Sequence, residues 1–174
     1  MKLTQTEVEQ FYRMFYALIW GVNRKHKIIP NLKKPVYGDK VTLEPIVTIR
    51  DKMWENPEWI DEFLRGDGSG NELTETERGI IAGWRSHFVK ERFIIVRHLK
   101  KYSVFMTTTD PVRLYGVVGI SDPIRVNVND TAPFMLEAVL IPFGDKVIYD
   151  GLVYTSNISF GTSIRDSIKE HTTK

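Results

Sequence analysis

Apolar residues recur at helical spacing through the first half of the chain and at strand spacing through the second. Val8, Phe11, Phe15, Leu18 and Val22 fall on one helical stripe. Tyr12, Tyr16, Ile19 and Trp20 widen it until most sides are apolar, which predicts burial by more than one neighbour. Thr4-Gln5-Thr6-Glu7 reads as a capping box at its start, and the helix is expected to end near Gly21 to Asn23. Pro30 and Pro35 then make residues 24–43 a connection. A second helix is expected from about Glu44 to Trp54. Asn56-Pro57 predicts a restart, with Asn56 as cap and Pro57 at the first helical position. Trp59, Ile60, Phe63 and Leu64 give this third helix one apolar face, and Gly66 stops it. Thr74 to Glu77 is a second capping box, leading Ile80, Ile81, Trp84 and Phe88 into a helix to about Lys90.

After that the period shortens. Phe93–Val96, Tyr102–Thr107, Arg113–Ile120, Phe134–Ile141 and Val147–Tyr154 are five predicted strands, with helix continuation the competing reading for residues 91–100. Gly144-Asp145 predicts a tight hairpin. Ser163 to Glu170 predicts a short closing helix. The fold class is α+β: a helical N-terminal half (1–90) packed on a mainly antiparallel five-stranded sheet or small barrel (91–174), read as one domain.

Composition narrows the chemistry. The 174 residues include no cysteine, which excludes disulfides, thiolate metal sites and cysteine nucleophiles. Met14 to Val22 is too short to span a bilayer, which needs about 20 residues. No signal peptide is read at the start. A soluble, cytoplasmic protein without membrane association, metal or cofactor is the expectation. His26, His87, His98 and His171 lack the spacing of a helical zinc site. Gly66, Gly68 and Gly70 follow a predicted helix, the wrong context for a dinucleotide fingerprint, and read as a flexible loop.

Charge is uneven. The net charge is +2, yet residues 24–40 and 85–101 each hold six Lys/Arg against one acid, while residues 51–78 hold nine acids against three bases. Lys33, Lys34, Arg92, Arg97, Lys100 and Lys101 are therefore candidate nucleic-acid contacts, with Tyr102 and Phe105 available for stacking. No established nucleic-acid-binding signature accompanies them. Glu137 lies within the apolar run Phe134 to Ile141. There it is either a candidate acid or base, or a partner of Arg113 or Arg125.

The stretch Ala138 to Leu152 and Asn157-Ile158-Ser159-Phe160-Gly161 resemble the L-P-F-x-x-K-I-I-Y-D-G-L and N-I-S-F-G pattern of a family of uncharacterised bacterial proteins. The similarity extends to Trp54-Glu55-Asn56, Trp84 and Phe93 to Phe105. The resemblance implies a family and no activity. It marks Lys146, Tyr149, Asp150 and Asn157 as polar positions; Asp150-Gly151 and Asn157 also suit turn geometry. Three functions stay open. The first is a non-catalytic module that binds a protein partner or itself. The second is a nucleic-acid-binding accessory protein. The third is a small hydrolase using Glu137 or Asp150.

Overall fold

The computed structural model describes residues 1–66, 72–128 and 133–155. Contacts divide the chain into two compact units, Thr4–Phe88 and Met1–Leu3 with the chain from Val89 onward. The single domain read from the sequence changes from helix to strand near residue 90; the division between units falls at the same place.

The first unit is helical. It comprises α1 (Gln5–His26), α2 (Leu43–Glu55), α3 (Glu58–Arg65) and α4 (Glu75–His87). Both capping boxes form, Thr4 with Glu7 and Thr74 with Glu77. Helix α1 runs a turn beyond Gly21 to Asn23. It ends where Lys27 enters the left-handed region (φ 51) and returns its N–H to the Asn23 carbonyl at 2.8 Å. Gly21 does not terminate it because it serves another purpose: a Cβ there would overlap the ring of Phe63 on α3. Phe11 joins α1 to α4 by ring contact with Trp84, at 5.8 Å between centroids. The wide apolar surface of α1 is thus met by α2, α3 and Trp84.

Asn56 differs from its expected role. It closes α2, its backbone and side-chain N–H groups both donating to the Lys52 carbonyl. Pro57 is the N-cap of α3, which starts at Glu58 without a side-chain cap. A proline has no N–H to satisfy, so its place at the helix start costs nothing.

The second unit is a closed five-stranded barrel in the order β1-β2-β3-β5-β4. Its strands are β1 (Val89–His98), β2 (Ser103–Thr107), β3 (Leu114–Val118), β4 (Phe134–Phe143) and β5 (Lys146–Thr155). Residues 91–98 are strand, not continued helix. All pairings are antiparallel except β3 with β5. A short helix absent from the sequence reading, α5 (Ile124–Val128), joins β3 to β4. Gly144 and Asp145 form the expected two-residue hairpin, with Gly144 at φ 60. Phe93, Ile95, Phe105, Leu136, Ala138 and Leu140 are buried along matching register positions, and the Phe93 ring meets Phe105 at 5.8 Å and Tyr115 at 6.2 Å. Residues 1–3 extend the barrel beside β3: Leu3 N–H donates to the Gly119 carbonyl at 3.0 Å, and Gly119 N–H to that of Met1 at 3.3 Å. The expected helix at 163–170 and the Gly68 to Gly70 loop lie outside the described residues.

Candidate functional site

The β1–β2 turn brings together three of the barrel's exposed cations, Arg97, Lys100 and Lys101. Strand β1 carries a bulge: Ile95 pairs with Phe105, but the next pairing is Arg97 with Val104. Simple alternation from Phe93 and Ile95 would send Arg97 inward. The extra residue, Val96, shifts the phase, and Arg97 is exposed. Lys100 and Lys101 occupy the turn itself, closed by Leu99 N–H donating to the Tyr102 carbonyl at 2.8 Å. The Met1 nitrogen donates to the Lys100 carbonyl at 3.1 Å, a contact across the barrel unit that linear spacing gives no hint of. Residues 92–109 contain four Lys/Arg and no Asp or Glu.

An aromatic surface adjoins this turn. Tyr102 is 38% exposed. Its ring covers Gly116 on β3; a Cβ at Gly116 would stand 3.0 to 3.2 Å from the ring carbons. Val112 and Leu114, more than half exposed, lie at the other end of β2 and β3, where Leu114 pairs in register with Met106. Phe105, the other stacking candidate, is 1% exposed and belongs to the barrel core. It is not available to a base.

The remaining candidates do not join this cluster. Arg92 lies five residues from Arg97 along β1, in register with Glu137 on β4. Glu137 is thus a half-buried carboxylate opposite Arg92; the pairing with Arg113 or Arg125 does not occur in the register. Lys33 and Lys34 belong to the helical unit. Lys34 is bound to Glu72, and that hydrogen bond and charge hold the Glu72 carboxyl below the ordinary range.

Lys146, Tyr149 and Asp150 share β5. Lys146 Nζ lies 3.3 Å from Asp145 Oδ1. The Tyr149 hydroxyl accepts from Asn127 Nδ2 of α5 at 3.3 Å. Asp150 is fully buried mid-strand, where residues 150–152 bulge opposite Val139 and Gly151 takes φ 93. Its Oδ1 accepts from Leu152 N–H at 3.4 Å, a local turn-like bond of the kind Asp-Gly favours. Asn157 lies outside the described residues.

Among the described residues, no three His, Asp or Glu side chains are grouped to hold a metal ion. No described helix is long and apolar enough to cross a membrane. Comparison with protein-family models, curated proteins and solved structures finds no match to this chain.

Proposed function

We propose that this chain is a non-catalytic binding module whose barrel takes single-stranded nucleic acid at the β1–β2 turn and the adjoining outer surface of β2 and β3. The carrying observation is the cluster of exposed Arg97, Lys100 and Lys101 beside the exposed Tyr102 ring. Cations neutralise phosphates and release counterions, while an aromatic face stacks a base without reading its identity. The strand order, with a helix between β3 and β4, is that of the five-stranded oligonucleotide- and oligosaccharide-binding barrels. Those barrels bind ligand on the β2–β3 face and in the β1–β2 and β4–β5 loops. That likeness concerns architecture alone; the basic turn is what favours a polyanion over an uncharged sugar.

Fluorescence anisotropy with labelled oligo-dT and oligo-rU tests the reading. Binding is expected at low salt, with log affinity falling linearly against log salt. Lys100→Glu with Lys101→Glu is expected to reduce both affinity and slope. No binding at low salt, or binding indifferent to the double substitution, overturns the proposal. A second reading, docking of a protein or a second copy, is favoured by the exposure of Val112 and Leu114. Sedimentation of the full chain, with and without Leu114→Ser, tests self-association.

A further inference from the structure

We infer that the helical unit carries a pocket for a small organic cation, a substituted ammonium with an apolar body. The cavity has a volume of about 380 Å³, within the range of small-molecule sites. Its walls are the rings of Tyr16 and Tyr37 with Pro35, Val36 and Leu73. Tyr12 braces both rings from behind, stacked on Tyr37 at 5.3 Å and tilted against Tyr16 at 5.4 Å.

The charges at the pocket decide the sign of the ligand. Arg13 and Lys34 both reach it, but each already has an acid. Arg13 is bound to the buried Glu77, and Lys34 to Glu72. These two pairs cancel. Glu9 is left over: its carboxylate accepts only the Gln5 Nε2 amide at 2.9 Å, and no cation lies within ion-pair distance of it among the described residues. The same Gln5 nitrogen donates to the Tyr37 hydroxyl at 3.2 Å, so one amide holds the carboxylate beside the aromatic wall. Burial, then the neighbouring Tyr12 and Tyr37, raise the Tyr16 phenol above its ordinary value, so its ring stays neutral at physiological pH. Neutral tyrosine faces attract cations, most strongly where water is partly excluded. An anion would meet Glu9 with no free cation in compensation.

The test titrates the full chain with benzyltrimethylammonium, benzyl alcohol and benzoate by calorimetry and by chemical-shift change. The ammonium is expected to bind about tenfold more tightly than the alcohol, with benzoate weakest. Glu9→Gln is expected to erase most of that advantage while leaving benzyl alcohol binding and the unfolding midpoint unchanged. Tyr37→Leu, at a residue 39% exposed, is expected to weaken the ammonium more than the alcohol. Benzoate or benzyl alcohol binding as tightly as the ammonium overturns the inference. So does unchanged ammonium affinity in Glu9→Gln, or no saturable ammonium binding by roughly 10 mM.

Discussion

Asn23 satisfies both backbone hydrogen-bonding groups of Ile29. Its Oδ1 accepts from Ile29 N–H at 2.8 Å, and its Nδ2 donates to the Ile29 carbonyl at 2.9 Å. Asn23 is 5% exposed, so these groups have little access to water. The pair fixes the chain as it leaves α1, directly after the left-handed Lys27. Asn23→Ala removes two bonds and leaves the half-buried backbone groups of Ile29 without their partner, which is expected to cost about 1–3 kcal/mol. Asn23→Asp keeps the acceptor but sets a second oxygen against the Ile29 carbonyl at a position 5% exposed, and is expected to cost at least as much as Asn23→Ala at neutral pH. Urea unfolding of the full chain, followed by far-ultraviolet circular dichroism, measures both.

Glu77 serves two elements at once. Its Oε2 accepts from the Thr74 N–H at 2.9 Å and the Thr74 hydroxyl at 3.1 Å, closing the box at the start of α4. Its Oε1 accepts from Arg13 on α1. Thr74→Ala is expected to cost about 1 kcal/mol, the ordinary worth of a cap. Glu77→Ala should cost more, about 2–3 kcal/mol, because it also frees Arg13. Since the two residues share bonds, the double variant is expected to lose less than the sum. Additive losses in the unfolding free energies would dissolve the coupling.

Both capping boxes were legible because each is four consecutive residues, and their geometry depends on nothing beyond the first turn. The five strands were legible for the same reason, since period and β-branched content are local. The barrel's closure was not. It depends on β1 pairing with β4 and β3 with β5, contacts between segments far apart in sequence. Arg97 shows the difference at one residue. Alternation along β1 points it inward, and only the unpaired Val96, visible in the register with β2, turns it to solvent. Phe105 fails as a stacking residue for the converse reason: it alternates in phase with the core, whereas Tyr102 stands just before the strand begins. Asp150-Gly151 was recognisable as turn chemistry, and a turn-like bond does form there. Its place mid-strand follows from the bulge opposite Val139.

Acidification is expected to weaken the link between α1 and α3. Glu62 lies 3.2 Å from Lys25 Nζ and 2.9 Å from His26 Nε2. The hydrogen bond from Lys25 is the largest cause; with that from His26 and both charges it holds the carboxyl below the ordinary glutamate value, against an opposing effect of burial. A carboxyl depressed in the folded state binds protons more readily when unfolded. Its contribution is therefore present above the ordinary range and fades as pH falls through the depressed folded value. Glu62→Gln is expected to lower stability above the ordinary carboxylate range and to flatten that part of the profile, so that wild type and variant converge as pH falls. Urea midpoints at successive pH values, wild type against variant, decide it. Parallel profiles would assign the acid sensitivity elsewhere.

Tyr102 can be separated from the barrel's stability because its ring lies on the outer surface over a glycine. Tyr102→Ala is expected to weaken single-stranded oligonucleotide binding by about 5- to 100-fold, the worth of one base–aromatic stack. The unfolding midpoint should move little, since the ring is already 38% exposed. Tyr102→Phe should bind like wild type, because stacking uses the face and not the hydroxyl. Gly116→Ala probes the same contact from beneath. Its new methyl would press 3.0 to 3.2 Å from the ring carbons, so the ring must lift or swing aside. That substitution is expected to lower affinity without adding or removing any charge, leaving the salt slope unchanged. Anisotropy titrations across a salt series separate the outcomes. A steeper or shallower slope in Gly116→Ala would mean that the β1–β2 turn had moved with the ring, carrying Lys100 and Lys101 with it.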